Sequence, residues 1–167
     1  MLYREILEHY ARNPDKGYDF AARHELARVL VEQGRLDEAE SQYRDLLTAR
    51  IQVYGLDYPR TLITRFRFAD LTAKQRKLAE AEKLFRDVLN DSVRVLGPEH
   101  PDTLKIRHGL AEVLASEGRK AEASRQYQEV LNGQRKVLGV FHPATISTEN
   151  ALRVLDLTET GGSQDNT

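Results

Sequence analysis

The sequence predicts an all-α fold, an α-α solenoid of stacked antiparallel helix pairs, and three observations carry that prediction. First, the segments YGLDYPRTL, LGPEHPDTL and LGVFHPATI recur along the chain, with Pro59, Pro101 and Pro143 each 42 residues apart. Gly55, Gly97 and Gly139 keep the same interval, as do Thr61, Thr103 and Thr145. Second, each stretch between these segments holds two apolar patterns of helical period. Third, the repeat is one of helix pairs, and pairs that each expose an apolar face bury it by stacking on their neighbours.

Taken in order, the periodicity places helices near 2–12, 19–33, 37–53, 61–75, 79–95, 103–117, 121–137 and 145–158. The first, with Tyr3, Ile6 and Leu7, reads as the second helix of a preceding pair, because YREIL echoes YRDLL at Tyr43 to Leu47. In the first helix of each full pair, Leu26, Phe68 and Leu110 align, followed by Ala27, Ala69 and Ala111. Leu110, Val113 and Leu114 share one face at i, i+3, i+4 spacing, and the small alanine lets a neighbour approach closely. In the second helix Ala39, Ala81 and Ala123 align, as do Tyr43, Phe85 and Tyr127. Glu122, Arg125 and Glu129 lie off that stripe, where water solvates them.

Glycine and proline punctuate the pairs. Gly34 and Gly118 suit the left-handed conformation that closes a helix, but Arg76 holds that place in the middle repeat, where the arginine must adopt the strained conformation or the turn must differ, so a local departure is expected at Gln75 to Lys77. Gly97 ends one helix, Pro98 cannot continue it, and Pro101 pushes His100 into an extended conformation before serving as a first helical residue. The terminal GGSQDNT should be a flexible tail.

The chain has 167 residues, an apolar fraction of 40%, enough for a packed core, and a formal net charge of −1, which offers no global field to a polyanion. Nucleic acid is therefore a poor partner. The absence of cysteine removes disulfides and thiolate metal sites and fits a cytoplasmic setting. MLYREILEHYARN intersperses charges among its apolar residues, unlike a signal peptide, and no apolar stretch reaches the length of about eighteen residues that spans a membrane.

The LGPEHPDTL loop, the Arg-His-x-Leu-Ala start at Arg23 to Ala27 and Arg107 to Ala111, and the Gly-Arg-x-x-Glu-Ala turn at Gly34 and Gly118 resemble the 42-residue tetratricopeptide repeats of the kinesin light chain class. The resemblance implies a tetratricopeptide domain over 1–158, with a partial repeat at 1–17, full repeats at about 18–59, 60–101 and 102–143, a terminal helix at 144–158, and a tail at 159–167. It further implies a right-handed superhelix whose first helices line a concave groove that holds extended peptides. Carried over, the groove positions are Ala21, His24, Glu25, Arg28 and Glu32 in the first full repeat, then Ile63, Phe66, Arg67, Asp70 and Lys74. The third repeat adds Lys105, His108, Glu112 and Ser116, and the terminal helix adds Ser147, Asn150 and Val154. The result is a mixed groove with one aromatic, Phe66, and Arg28, Phe66, Arg67, Lys74 and Lys105 are expected to make the main contacts. The family often has an asparagine before the Leu-Ala pair, able to clamp a peptide backbone. Glu25, Arg67, Gly109 and Ala151 stand there instead, which shifts recognition toward charge pairs or packing.

The expected function is a non-catalytic scaffold that binds a partner protein or peptide, with no cofactor and no metal. His24 and His108 are equivalent positions, but a metal site needs three or more converging donors. His100 and His142 precede prolines where Tyr58 also occurs, and read as loop-packing residues. No glycine-rich phosphate loop, nucleophile elbow or HExxH motif is present. The alternative is a structural or regulatory sensor portion of a larger bacterial regulator. It would dock or self-associate, as a homodimer for example, through terminal helices exposing Val154, Leu155 and Leu157.

Overall fold

Proline sets where three of the helices begin. In a computed structural model, which describes residues 18–160 and the side chains of 20–155, α3, α5 and α7 each start at the proline itself. The helices are α1 (Tyr18–Glu32), α2 (Leu36–Tyr54), α3 (Pro59–Lys74), α4 (Leu78–Leu96), α5 (Pro101–Ser116), α6 (Lys120–Val137) and α7 (Pro143–Thr160). No strand occurs among the described residues. The three proline-led helices start two residues earlier than the periodicity suggested, because Tyr58 and His100 are extended (ψ 131° and 137°) and proline's missing N–H costs nothing at the first helical position. The helix expected at 2–12 lies outside the described residues. At the other end α7 continues to Thr160, so the first two residues assigned to the tail are helical, and 161–167 lie outside the described residues.

Two of these starts carry an imidazole cap. The His100 Nδ1 accepts from the Asp102 N–H at 3.1 Å, and the His142 Nδ1 accepts from the Ala144 N–H at 3.2 Å. Each ring takes the place that a Ser or Asp oxygen usually fills, satisfying a helix N–H that has no intrahelical partner. Loop packing is thus too weak a description of these two histidines. At the equivalent position Tyr58 makes no side-chain cap and stacks on Tyr54 instead, ring centroids 4.6 Å apart.

Helix closure repeats with one geometry. Gly34 N–H reaches Val31 O and Arg35 N–H reaches Leu30 O, and Gly118 and Arg119 do the same to Ala115 and Leu114. This is the Schellman arrangement. Of the two alternatives at Gln75 to Lys77 the structure has the strained arginine and not a different turn: Arg76 takes the left-handed conformation (φ 63°), with Arg76 N–H on Ala73 O and Lys77 N–H on Thr72 O. The flanking side chains hold the turn in place, since Gln75 Nε2 and Lys77 Nζ both donate to Glu40 Oε2, at 2.8 and 3.1 Å.

The chain divides into two compact units, residues 1–77 and 78–167. In the first, α2 packs against both α1 and α3; in the second, α4, α5, α6 and α7 pack in consecutive pairs. The positions that align in the sequence are core positions. Ala27, Ala39 and Ala69 in the first unit and Ala81, Ala111 and Ala123 in the second have no exposed surface, and Tyr43, Phe85 and Tyr127 are buried. Each large apolar side chain so buried contributes about 1.5–3 kcal/mol. Thr61, Thr103 and Thr145 are also fully buried, and Thr103 Oγ1 shares a 2.8 Å hydrogen bond with Ser92 Oγ. Gly109, on α5, is there for packing: a Cβ added to it would lie 2.5 Å from the Phe85 ring.

An electrostatic tie recurs with the repeat. Glu40 on α2 takes hydrogen bonds from Gln75, Arg44 and Lys77, which together hold its carboxyl well below the usual range, at about 2. In the second unit Glu82 on α4 pairs with Arg86 and with Arg119 at 2.8 Å. Burial there pushes the Glu82 carboxyl up, and the two guanidinium bonds outweigh it, leaving its pKa lowered.

Candidate functional site

In the first unit several of the residues expected to line a groove, on α1 and α3, lie near one buried ring. Tyr43 lies under them, and its hydroxyl is pushed up to about 12, first by burial. The His24 imidazole meets Tyr43 edge-on at 5.7 Å. Burial lowers the His24 pKa, the Arg50 and Arg67 cations lower it further, and Glu25 works against them. The His24 Nδ1 is buried with no hydrogen-bond partner among the described residues.

Charge pairs already occupy part of this face. Arg28 binds Glu25 at 2.9 Å and also Glu32, and Lys74 binds Asp70 at 3.1 Å, all within their own helices. Such exposed pairs within one helix are screened by solvent and add little to stability. Their consequence is that two of the cations expected to meet a ligand are neutralised locally. Arg67 differs: it is exposed, its guanidinium lies 5.2 Å from the Phe66 ring centroid, and no carboxylate pairs with it among the described residues.

A cavity of about 370 Å³ opens beside His24, lined by Ala21, His24 and Glu25 of α1, Arg50 of α2, and Arg60 and Ile63 of α3. Arg50 is the residue that sequence reasoning missed. It is 5% exposed, donates to the backbone oxygens of Arg60 (2.6 Å) and Phe20 (3.3 Å), and lies 5.6 Å from the Phe20 ring centroid. Its Nε has no partner among the described residues. Burial lowers its pKa, and the neighbouring Arg60 cation adds to the effect. The signal was present in the sequence: Tyr43, Leu46 and Arg50 fall on one helical stripe, and the 42-residue interval aligns Arg50 with Ser92 and Gln134, both buried polar residues.

In the second unit His108 on α5 repeats the His24 arrangement, edge-on to Tyr127 at 5.1 Å, its pKa lowered by burial. Its Nδ1 lies 3.7 Å from Glu112 Oε1, beyond hydrogen-bonding distance. Lys105 is exposed and paired with Asp102 at 3.0 Å, and Asn150 on α7 is exposed. Of the terminal residues, Val154 is 60% exposed and Leu155 half-buried, while the Leu157 side chain lies outside those described. Among the described residues no three His, Asp or Glu side chains converge as a metal site would require, and no helix is long and apolar enough to cross a membrane.

The seven helices among the described residues and the repeated hairpin turn define an all-α repeat solenoid. The sequence pattern of the tetratricopeptide repeat matches residues 18–91 and 67–136, well over half of the chain. Two crystal structures of a kinesin light chain-type protein with nearly identical TPR-like repeats from Podosopora anserina, one of them a point variant, superpose with TM-scores of 0.79 and 0.77. Each is 23% identical, with 98% of this chain and 78% of the other aligned. BtubC (BKLC) from P. vanneervenii superposes with a TM-score of 0.80 at 20% identity, over 92% of this chain and 62% of BtubC. At these identities the likeness is one of fold. A comparison with curated proteins gave no match. The chain belongs to the tetratricopeptide repeat family, with repeats like those of kinesin light chains, and is a protein-interaction repeat module.

Proposed function

We propose that the chain is a non-catalytic module that binds an extended segment of a partner protein, and that in the first unit the segment lies along α1 and α3. The observation that carries this reading is the cavity beside His24, lined by residues of α1, α2 and α3 that include the Arg50 and Arg60 guanidinium groups and the Glu25 carboxylate. Arg60 and Arg67 are exposed and supply charge, while Phe66, half-buried, supplies a stacking surface. In the second unit Lys105, His108, Glu112 and Asn150 are the corresponding candidates. Arg60 replaces Lys74 among the test residues, because Lys74 is already paired with Asp70 and Arg60 has no ion pair among the described residues.

The test is a selection of twelve-residue peptides against the full chain, followed by affinity measurements on the peptides recovered. Arg60→Ala with Arg67→Ala should weaken binding at least tenfold while leaving the thermal midpoint unchanged. Binding that survives the double substitution would remove the first-unit face from the reading.

One observation favours a second reading, docking or self-association through the terminal helix: Val154 is 60% exposed on α7. Under that reading light scattering gives a mass that rises with concentration, and Val154→Asp returns it to the monomer value. A concentration-independent monomer mass eliminates the homodimer.

A further inference from the structure

Phe141 departs from the repeat. The position holds Asp57 in the first inter-repeat loop and Glu99 in the second, and the third loop puts a phenyl ring there. That ring is 89% exposed, more than any other large apolar side chain described, and Val137 and Val140, near it in the chain, are half exposed. A single apolar residue at the surface is ordinary, but a ring this exposed at a position that otherwise carries a carboxylate points to a partner that covers it. The backbone that carries the ring is fixed. Thr145 Oγ1 and the His142 N–H both donate to Gly139 O, at 2.9 and 3.4 Å, and His142 Nδ1 accepts from the Ala144 N–H. Little conformational freedom is therefore lost when the ring is buried against another surface.

The first loop departs from the repeat in the complementary sense. A cavity of about 170 Å³ is lined by Phe20 of α1, Arg50 and Tyr54 of α2, Tyr58, and Arg60 of α3. Tyr54 meets Phe20 edge-on, ring centroids 5.8 Å apart, and stacks on Tyr58. The same five positions carry no phenyl or phenol ring in either later repeat. Tyr54 and Tyr58 are exposed, so solvent reaches this wall. The cavity is well below the about 300–1,000 Å³ of sites that enclose a drug-sized molecule, so it takes one side chain. Its composition favours an aromatic one, since a further ring adds edge-to-face contact and a guanidinium rests on its face.

We propose that Phe141 of one copy seats in this aromatic cavity of a second copy, so that the chain associates with itself head to tail. The proposal is independent of the peptide-binding reading and uses a different surface from Val154. Charge favours the contact. Arg135 and Lys136, in the last turn of α6 before Phe141, are paired with Glu149 and Glu99, and the carbonyl end of that helix complements the Arg60 cation at the cavity rim. Each contact leaves one ring and one cavity unused, so it is heterologous and admits further copies. Val137 and Val140 beside the ring, and Ile51, Val53 and Leu56 beside the cavity, extend the apolar contact. One ring with these neighbours covers less than the about 1,200 Å² that a stable interface buries, so association is weak and concentration-dependent.

The experiment measures the mass of the full chain by light scattering between about 10 μM and 1 mM. The wild-type mass should rise at least twofold over this range, and Phe141→Ser should stay monomeric. Tyr54→Ser with Tyr58→Ser, its helicity checked by circular dichroism, should stay monomeric too. Mixed in equal amounts, the two variants should form dimers that grow no further, because one supplies only the cavity and the other only the ring. If the tyrosine variant does not fold, fluorescently labelled Phe141→Ser takes over the test: it still accepts a ring, so it should sediment with unlabelled wild type. Val154→Asp should leave the wild-type behaviour unchanged; loss of association there would move the contact to the terminal helix and overturn the proposal. A tyrosine variant that associates as wild type does would mean that two Phe141 rings meet each other, and a mixture that stays monomeric, or labelled Phe141→Ser left out of the sediment, would equally overturn it. So would wild type that remains monomeric throughout.

Discussion

Gly109 shows how packing can decide which residue a position holds. It stands where the family often carries an asparagine, yet the structure gives it a packing reason: the Phe85 ring occupies the space any side chain would need, 2.5 Å from an added Cβ. Gly109→Ala gains about 1 kcal/mol of helix propensity and forces a buried aromatic ring to move, which costs about 1–3 kcal/mol. The expected outcome is a net loss of stability in denaturant unfolding. A gain would mean that Phe85 has an alternative rotamer. Glu40 makes the fold sensitive to acid. Its folded pKa of about 2 lies below the ordinary 4.5, so its contribution is complete above pH 4.5 and is lost as the pH falls from there through 2. With its side chain 21% exposed, solvent screens the bonds, and Glu40→Gln should cost about 1–2 kcal/mol at pH 7. The variant should also show a shallower loss of stability between pH 4.5 and 2 than the parent; parallel curves would place the acid sensitivity elsewhere.

At the scale of elements, a hairpin turn is set by its hydrogen bonds before its residue type. The turns at Gly34, Arg76 and Gly118 share one bonding pattern, and only the middle one carries a side chain in the left-handed region. Such a residue holds roughly 1 kcal/mol of strain, which the α2–α3 packing and the Glu40 bonds offset. Arg76→Gly should therefore stabilise the chain by about 0.5 kcal/mol, the relief of strain being reduced by glycine's greater freedom when unfolded. Equilibrium unfolding in urea measures it, and a destabilised variant would show that the arginine side chain contributes contacts of its own.

For the whole molecule, function follows from which helix faces the folding leaves uncovered. The aligned alanines and aromatic rings of each hairpin are consumed by the core, and the polar residues of α1 and α3 that remain are divided between local ion pairs and a few uncommitted cations. Binding carried by those cations depends on salt: raising the ionic strength from 0.05 to 0.5 M, chosen to shorten the screening length severalfold, should weaken selected peptides in wild type more than in Arg60→Ala, Arg67→Ala. Equal weakening in both would mean that apolar contact with Phe66 and Ile63 dominates.

The 42-residue interval, the prolines, the closing glycines and the apolar stripes are local in sequence, so the helices, their order and most of the core could be read from the chain alone. Their physical causes, helical period, fixed φ at proline and free φ at glycine, act within a few residues. What only the tertiary structure decided depends on partners distant in the chain. Arg50 meets the carbonyls of Phe20 and Arg60, on helices before and after its own, and nothing near it in sequence foretells that. The imidazole caps, the locally spent charges of Arg28 and Lys74, and the orphaned nitrogens beside the cavity were equally out of reach. Burial and hydrogen bonding are properties of where chain segments meet, and they determine which charged residue remains available to a ligand.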